Sequence, residues 1–81
     1  MTPEILLTFP STRMAIAGEK ALLKAGLSVK VMPMPEALSA QCGIVLRLPE
    51  DQLEAGRTAL HAAGVEVQET YRKSGERLEA I

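Results

Sequence analysis

Cys42 is the only thiol in the chain, and a thiol that ionises is a nucleophile that can form a covalent bond to a reacting group. One cysteine makes no internal disulfide and excludes both a Cys-x-x-Cys redox pair and a thiolate zinc site, which agrees with a reducing compartment. Any redox or group-transfer role therefore needs a second molecule. The alternative for Cys42 is a small buried hydrophobe with no reactivity. Gly43, the next residue, permits a positive φ or the close approach of a partner to the sulfur, and equally a simple kink at a strand entry. His61 is the only histidine; it falls in a helical stretch with no partner assigned by the sequence, so a Cys-His nucleophile pair has little support. Glu50, Asp51 and Glu54 suit the positive end of a helix better than a metal ion. No metal and no cofactor is called for.

The segment Pro33 to Gly43 joins two strands expected to be antiparallel, a task that a hairpin of roughly two to five residues performs. A connection this long usually has a job. The surrounding pattern says where it emerges. Glu4 to Phe9 reads as a strand apolar on both sides, with Ile5, Leu7 and Phe9 on one face and Leu6 and Thr8 on the other. Pro10 stops it, and Ser11 or Thr12 can cap the helix that follows. From Arg13 to Ala25, residues Met14, Ala15, Gly18, Ala21, Leu22 and Ala25 share a face opposite Arg13, Lys20 and Lys24, and Gly26 closes the helix. Val29 to Met32 is a second strand, with Val29 and Val31 inward, and Ile44 to Leu48 is a third. Pro49 and Glu50 open a second helix that ends at Gly64. Val65 to Tyr71 is the last strand, with Val65 and Val67 inward.

Strand, helix, strand, strand, helix, strand is the ferredoxin-like βαββαβ order, an α+β fold. It predicts a four-stranded antiparallel sheet in the order 4-1-3-2 with both helices on one face. Residues 1–72 form the single domain, and 73–81 read as a polar, flexible tail. The first two strands run parallel, so the end of the first strand, the start of the first helix and the long loop share one end of the sheet. Cys42 then lies near Pro10, Ser11 and Thr12, where a helix N-terminus favours a thiolate. A helical turn over 36–41 would present Cys42 with the opposite dipole, and the residues leave that sign open. Leu6, Met32 and Val45 are expected on the uncovered sheet face and Ile16 and Leu23 on the outer face of the first helix, two surfaces through which a homodimer could form.

At 81 residues the chain is one domain, short enough to bury only roughly 60–65% of its unfolded surface. Its core must be aliphatic, because there is no Trp, one Phe and one Tyr, and no room remains for a buried flavin-sized cofactor. Nine Lys and Arg against ten Asp and Glu leave no basic footprint for a phosphate backbone, so nucleic acid is not expected as a partner. No secretory leader and no membrane-length apolar run is present in the sequence, which reads as cytoplasmic.

Phe9-Pro10-Ser11-Thr12, Glu19-Lys20, Pro33-x-Pro35, Ser39 and Cys42-Gly43, in that order and spacing, resemble the selenium/sulfur carrier-like family of small bacterial proteins. The resemblance runs through nearly the whole chain. It implies a carrier or accessory protein rather than a turnover enzyme, with Cys42 holding a persulfide or perselenide for transfer between a donor and an acceptor protein. Gly43, Ser39, Ser11 and Thr12 would lie around it, with the Glu19-Lys20 pair on the helix and Lys20 a further binding residue. Glu36 departs from the pattern, which carries a basic residue after the second proline; the missing positive charge weakens thiolate stabilisation. The competing expectation is a small-ligand-binding or protein-interaction module in which Cys42 only packs.

Overall fold

Ile5, Leu6, Leu7 and Thr8 are all buried, as a strand with neighbours on both edges and apolar residues on both faces requires. They belong to β1 (Glu4–Thr8). The computed structural model describes residues 3–36, 38 and 43–81. Along it follow α1 (Thr12–Lys24), β2 (Lys30–Pro33), β3 (Ile44–Pro49), a 3-10 turn at Glu50–Gln52, α2 (Leu53–Ala62), β4 (Glu69–Ser74) and β5 (Arg77–Ala80). All pairings are antiparallel, in the order β2-β3-β1-β4-β5. The predicted 4-1-3-2 order is present, with one strand more than expected.

That fifth strand corrects the reading of 73–81 as a tail. Polar residues can alternate on a sheet margin without an apolar signal, and what starts this strand is a turn. Gly75 has φ +62°, the left-handed value needed at the first central position of a two-residue type II′ hairpin turn. Ser74 then pairs with Arg77, and Arg72 with Glu79.

The last expected strand, Val65 to Tyr71, begins later, at Glu69. Val65 is buried all the same. Its N–H bonds Leu60 O at 2.9 Å as α2 closes, so its inward side chain reflects helix termination rather than a ladder. At the start of β4, Gln68 N–H donates to Thr8 O at 2.8 Å while Glu69 N–H donates to Thr8 Oγ1 at 3.0 Å. Two residues thus oppose one, as in a bulge.

Both helices cover the face of Ile5, Leu7, Leu46 and Leu48, and the core joins these to Phe9, Ala15, Leu22, Leu60 and Val65. α1 presents Ala15, Gly18 and Leu22 to it. A Cβ on Gly56 would meet Leu48 Cδ1 at 2.8 Å and Leu22 Cδ2 at 3.4 Å, so glycine there sets how closely α2 approaches both sheet and α1. Two expectations about exposure change. Val31 lies across from Leu46 on the helix side yet is 42% exposed, because β2 is an edge strand beyond the helices' cover. Leu6 and Val45, expected on an open face, are 2% and 0% exposed. Leu6 is flanked across its ladders by Arg47 and Tyr71, whose long side chains can roof it. Ile16 and Leu23 are exposed on α1 as expected.

Candidate functional site

The sheet end where β1 finishes is where the candidate residues were expected to meet. β1 and β3 pair with Leu7 opposite Leu46, so continuing the register puts Pro10 level with Gly43. Beyond Pro10, Ser11 turns the chain into α1. Its extended backbone (φ −152°) and its Oγ, which accepts Met14 N–H at 3.1 Å, make it the helix N-cap. Of the two hydroxyls that could cap, Ser11 therefore does so, and Thr12 is the first helical residue. β2 ends at the same place: Met34 N–H donates to Gly43 O at 3.0 Å, which ties the two ends of the long connection together. Leu38 N–H donates to Pro35 O at 3.0 Å, a turn within it.

Ser11, Thr12 and Gly43 thus share one end of the sheet. Cys42 and Ser39 lie outside the described residues, as does most of the segment 36–41 for which a helical turn was weighed. Gly43 is exposed, and a Cβ there would meet no described atom within 4 Å. Lys20 is not gathered with the others. It is exposed on α1, about 12 Å along the axis from Thr12 at 1.5 Å per residue. With Ala15, Gly18 and Leu22 packed on the core, its position faces solvent.

The charge pattern of this end differs from that of the opposite one. The first turn of α1 contains no acidic residue and carries Arg13, so the positive end of the helix dipole is not offset there. Entry to α2, in contrast, is lined with Glu50, Asp51 and Glu54. The ion pairs Arg47–Glu4 at 2.7 Å and Arg72–Glu50 at 2.9 Å also lie toward the end where β1 begins. A first helical turn with free positive potential suits a thiolate or a small anion.

His61 was given no partner by the sequence. Strand directions place the last turn of α2, and with it exposed His61, at the same sheet end as Ser11 and Gly43. The signal for this was available in the element order, since α2 must climb back to the end where β4 starts. No group of three or more His, Cys, Asp or Glu among the described residues is arranged to hold a metal. No helix among them is long and apolar enough to cross a membrane.

A second polar feature was hidden in the supposed tail. Arg72, Ser74, Arg77 and Glu79 line a hollow of about 200 Å³ on the helix-side face of the β4–β5 hairpin. Arg72 donates Nε–H and Nη2–H to Glu50 Oε2 at 3.1 and 2.9 Å and approaches Glu79 at 3.8 Å. The hydrogen bond to Glu50, with the charge of that carboxylate, holds the guanidinium more firmly protonated than usual. Of the two arginines at the hollow, Arg72 is thus engaged by Glu50 and approached by Glu79. The hollow lies away from Gly43 and is not part of the candidate site.

No curated protein and no solved structure matches the chain. Residues 4–72, from the first residue of β1 into β4, match the family described as “Putative Se/S carrier protein-like”, and the chain belongs to that family.

Proposed function

We propose that the protein carries sulfur or selenium as a persulfide or perselenide on Cys42, taking it from a donor protein and delivering it to an acceptor. The observation that carries this reading is the position of Gly43, the neighbour of Cys42, at the sheet end where the first turn of α1 has no acidic residue to offset its dipole. Family membership supports it. The chemistry is a pair of balanced exchanges. Cys42 thiolate attacks the terminal sulfur of a donor persulfide, forming a new S–S bond as the donor's own S–S bond breaks and its thiolate leaves. An acceptor nucleophile then attacks the same terminal sulfur and releases Cys42 as thiolate. Neither step needs an external oxidant or reductant, and selenium can take the place of the transferred sulfur.

In this reading the N-terminal turn of α1, capped by Ser11, favours the ionised form of the thiol, and Gly43 leaves room beside it for a docking protein. We assign Ser39 and Thr12 to binding at this site and Lys20 to docking of the partner rather than to the sulfur itself. Such a carrier works in a reducing compartment, and we place it in the cytoplasm. The order of its elements supports a ferredoxin-like fold with one added strand.

The test has two arms on separate samples of the native protein: alkylation by iodoacetamide across pH, and incubation of unalkylated protein with a small-molecule persulfide donor followed by intact-mass measurement. We expect a midpoint below the ordinary thiol value of about 8.5, a mass gain of one sulfur atom, and neither signal in C42S. Modification only after denaturation would make Cys42 a core residue and leave a binding or interaction module as the function.

A further inference from the structure

The β4–β5 hairpin places an open strand edge on the molecule, and we propose that β5 pairs antiparallel with β5 of a second copy, about a two-fold axis at Leu78. The backbone pattern determines which groups are available. Ile81 N–H donates to Thr70 O at 3.0 Å and Glu79 is level with Arg72, so Arg77, Glu79 and Ile81 turn their main-chain groups toward β4. In an antiparallel ladder the intervening residues turn theirs away. Leu78 and Ala80 therefore offer N–H and C=O groups at the sheet margin.

The side chains in this register are self-complementary. With Leu78 opposite Leu78 of the second copy, Arg77 of each chain stands opposite Glu79 of the other, in the closer, non-hydrogen-bonded positions. Within one chain these charges are incompletely used. Arg77 has no ion pair among the described residues, and Glu79 is largely exposed and meets Arg72 only at 3.8 Å. Pairing would continue the row Glu50–Arg72–Glu79 into the second copy's Arg77, once in each direction. Leu78, half-buried in one chain, would meet its counterpart on the other sheet face.

The opposite edge is unsuited to this. Since Met34 and Gly43 are a bonded pair, Pro33 and Val31 turn outward on β2, and Pro33 has no N–H to give. Proline on an outward position is a common guard against edge pairing. Charges guard an edge when they repel their own image, and in β5 they alternate so as to attract it. The strand is four residues long, so the contact is small and of low affinity. It also lies outside the residues matched by the family and does not depend on the carrier reading.

Sedimentation velocity from low micromolar to near-millimolar concentration tests the pairing. The wild-type protein is expected to shift from monomer toward dimer. R77E gives an acidic edge and E79R a basic one, so each variant alone should self-associate about tenfold more weakly, four cross-strand attractions and repulsions being exchanged. An equimolar mixture of the two should recover dimer, because acidic then faces basic at both positions. Circular dichroism of each variant confirms that the sheet is retained, and recovery in the mixture is a readout that misfolding cannot produce. A wild-type chain that stays monomeric, single variants that associate as well as wild type, for example through Ile16 and Leu23, or a mixture that remains monomeric would each overturn the proposal.

Discussion

Tyr71 offers a spectroscopic reading of one local interaction, because it is the only tyrosine and no tryptophan is present to obscure it. Its hydroxyl donates to Glu69 Oε2 at 2.8 Å, two residues back on the same strand face. That hydrogen bond first, then desolvation and the negative charge of Glu69, raise the phenol above its ordinary 10.0. Ionisation followed by ultraviolet difference absorbance should therefore occur at higher pH in the native protein than in urea, and E69Q should move it back toward about 10. The linkage has a definite sign. A raised folded-state value means that the contribution of Tyr71 to stability is complete below the unfolded value near 10 and is lost as pH rises through the folded one. Tyr71 is only half-buried, so solvent screens the contact and the effect on stability is small while the effect on the titration is direct. A native titration at or below the denatured one would show that the Glu69 contact does not persist in solution.

At the scale of elements, the candidate site depends on how α1 begins. Ser11 supplies its hydroxyl to Met14 N–H, and loss of such a cap typically costs about 1 kcal/mol. S11A should lower the free energy of unfolding by about that amount, measured by urea denaturation, while S11D should retain most of it because a carboxylate accepts the same N–H. Equal stability of S11A and wild type would mean that the cap contributes nothing. Much of this region was legible in sequence: Pro10 and the two hydroxyls announced a helix start, the i, i+3, i+7 spacing of Ala15, Gly18 and Leu22 announced its buried face, and the element order brought Gly43 to the same end. What the sequence missed has physical causes. Val65 and Val67 alternate like a strand, but Val65 is bonded to the closing turn of α2 and the ladder starts only at Glu69. β5 has one large apolar residue, Leu78, and one small one, Ala80, in four, too weak an alternation to reveal it, although Ser74-Gly75-Glu76 carried the turn signal.

At the scale of the whole molecule, the sheet has five strands but the core uses only part of it. The buried cluster draws on Ile5, Leu7, Phe9, Ala15, Leu22, Val29, Leu46, Leu48, Leu60 and Val65, and its half-buried margin extends as far as Val67. None of these residues comes from β4 or β5. Those strands are held instead by ladder hydrogen bonds, by Thr8 at the start of β4, and by Arg72 reaching Glu50 beside the entry to α2. Ending the chain after Ser74 removes β5 and the Arg72–Glu79 approach but keeps both of those ties and the entire apolar cluster. The truncated protein should therefore unfold cooperatively, with a stability lower by about 1–3 kcal/mol, the range for loss of a peripheral contact group. A domain this small has little stability in reserve, so the loss should be plain in urea denaturation. Amide exchange should show the same division beforehand, with protection highest in β1 and β3 and lowest in β5, because local opening is easiest where few apolar contacts resist it. If truncation instead leaves a chain without a cooperative transition, the hairpin is integral to the fold, and the core described by burial is not sufficient to hold the other four strands.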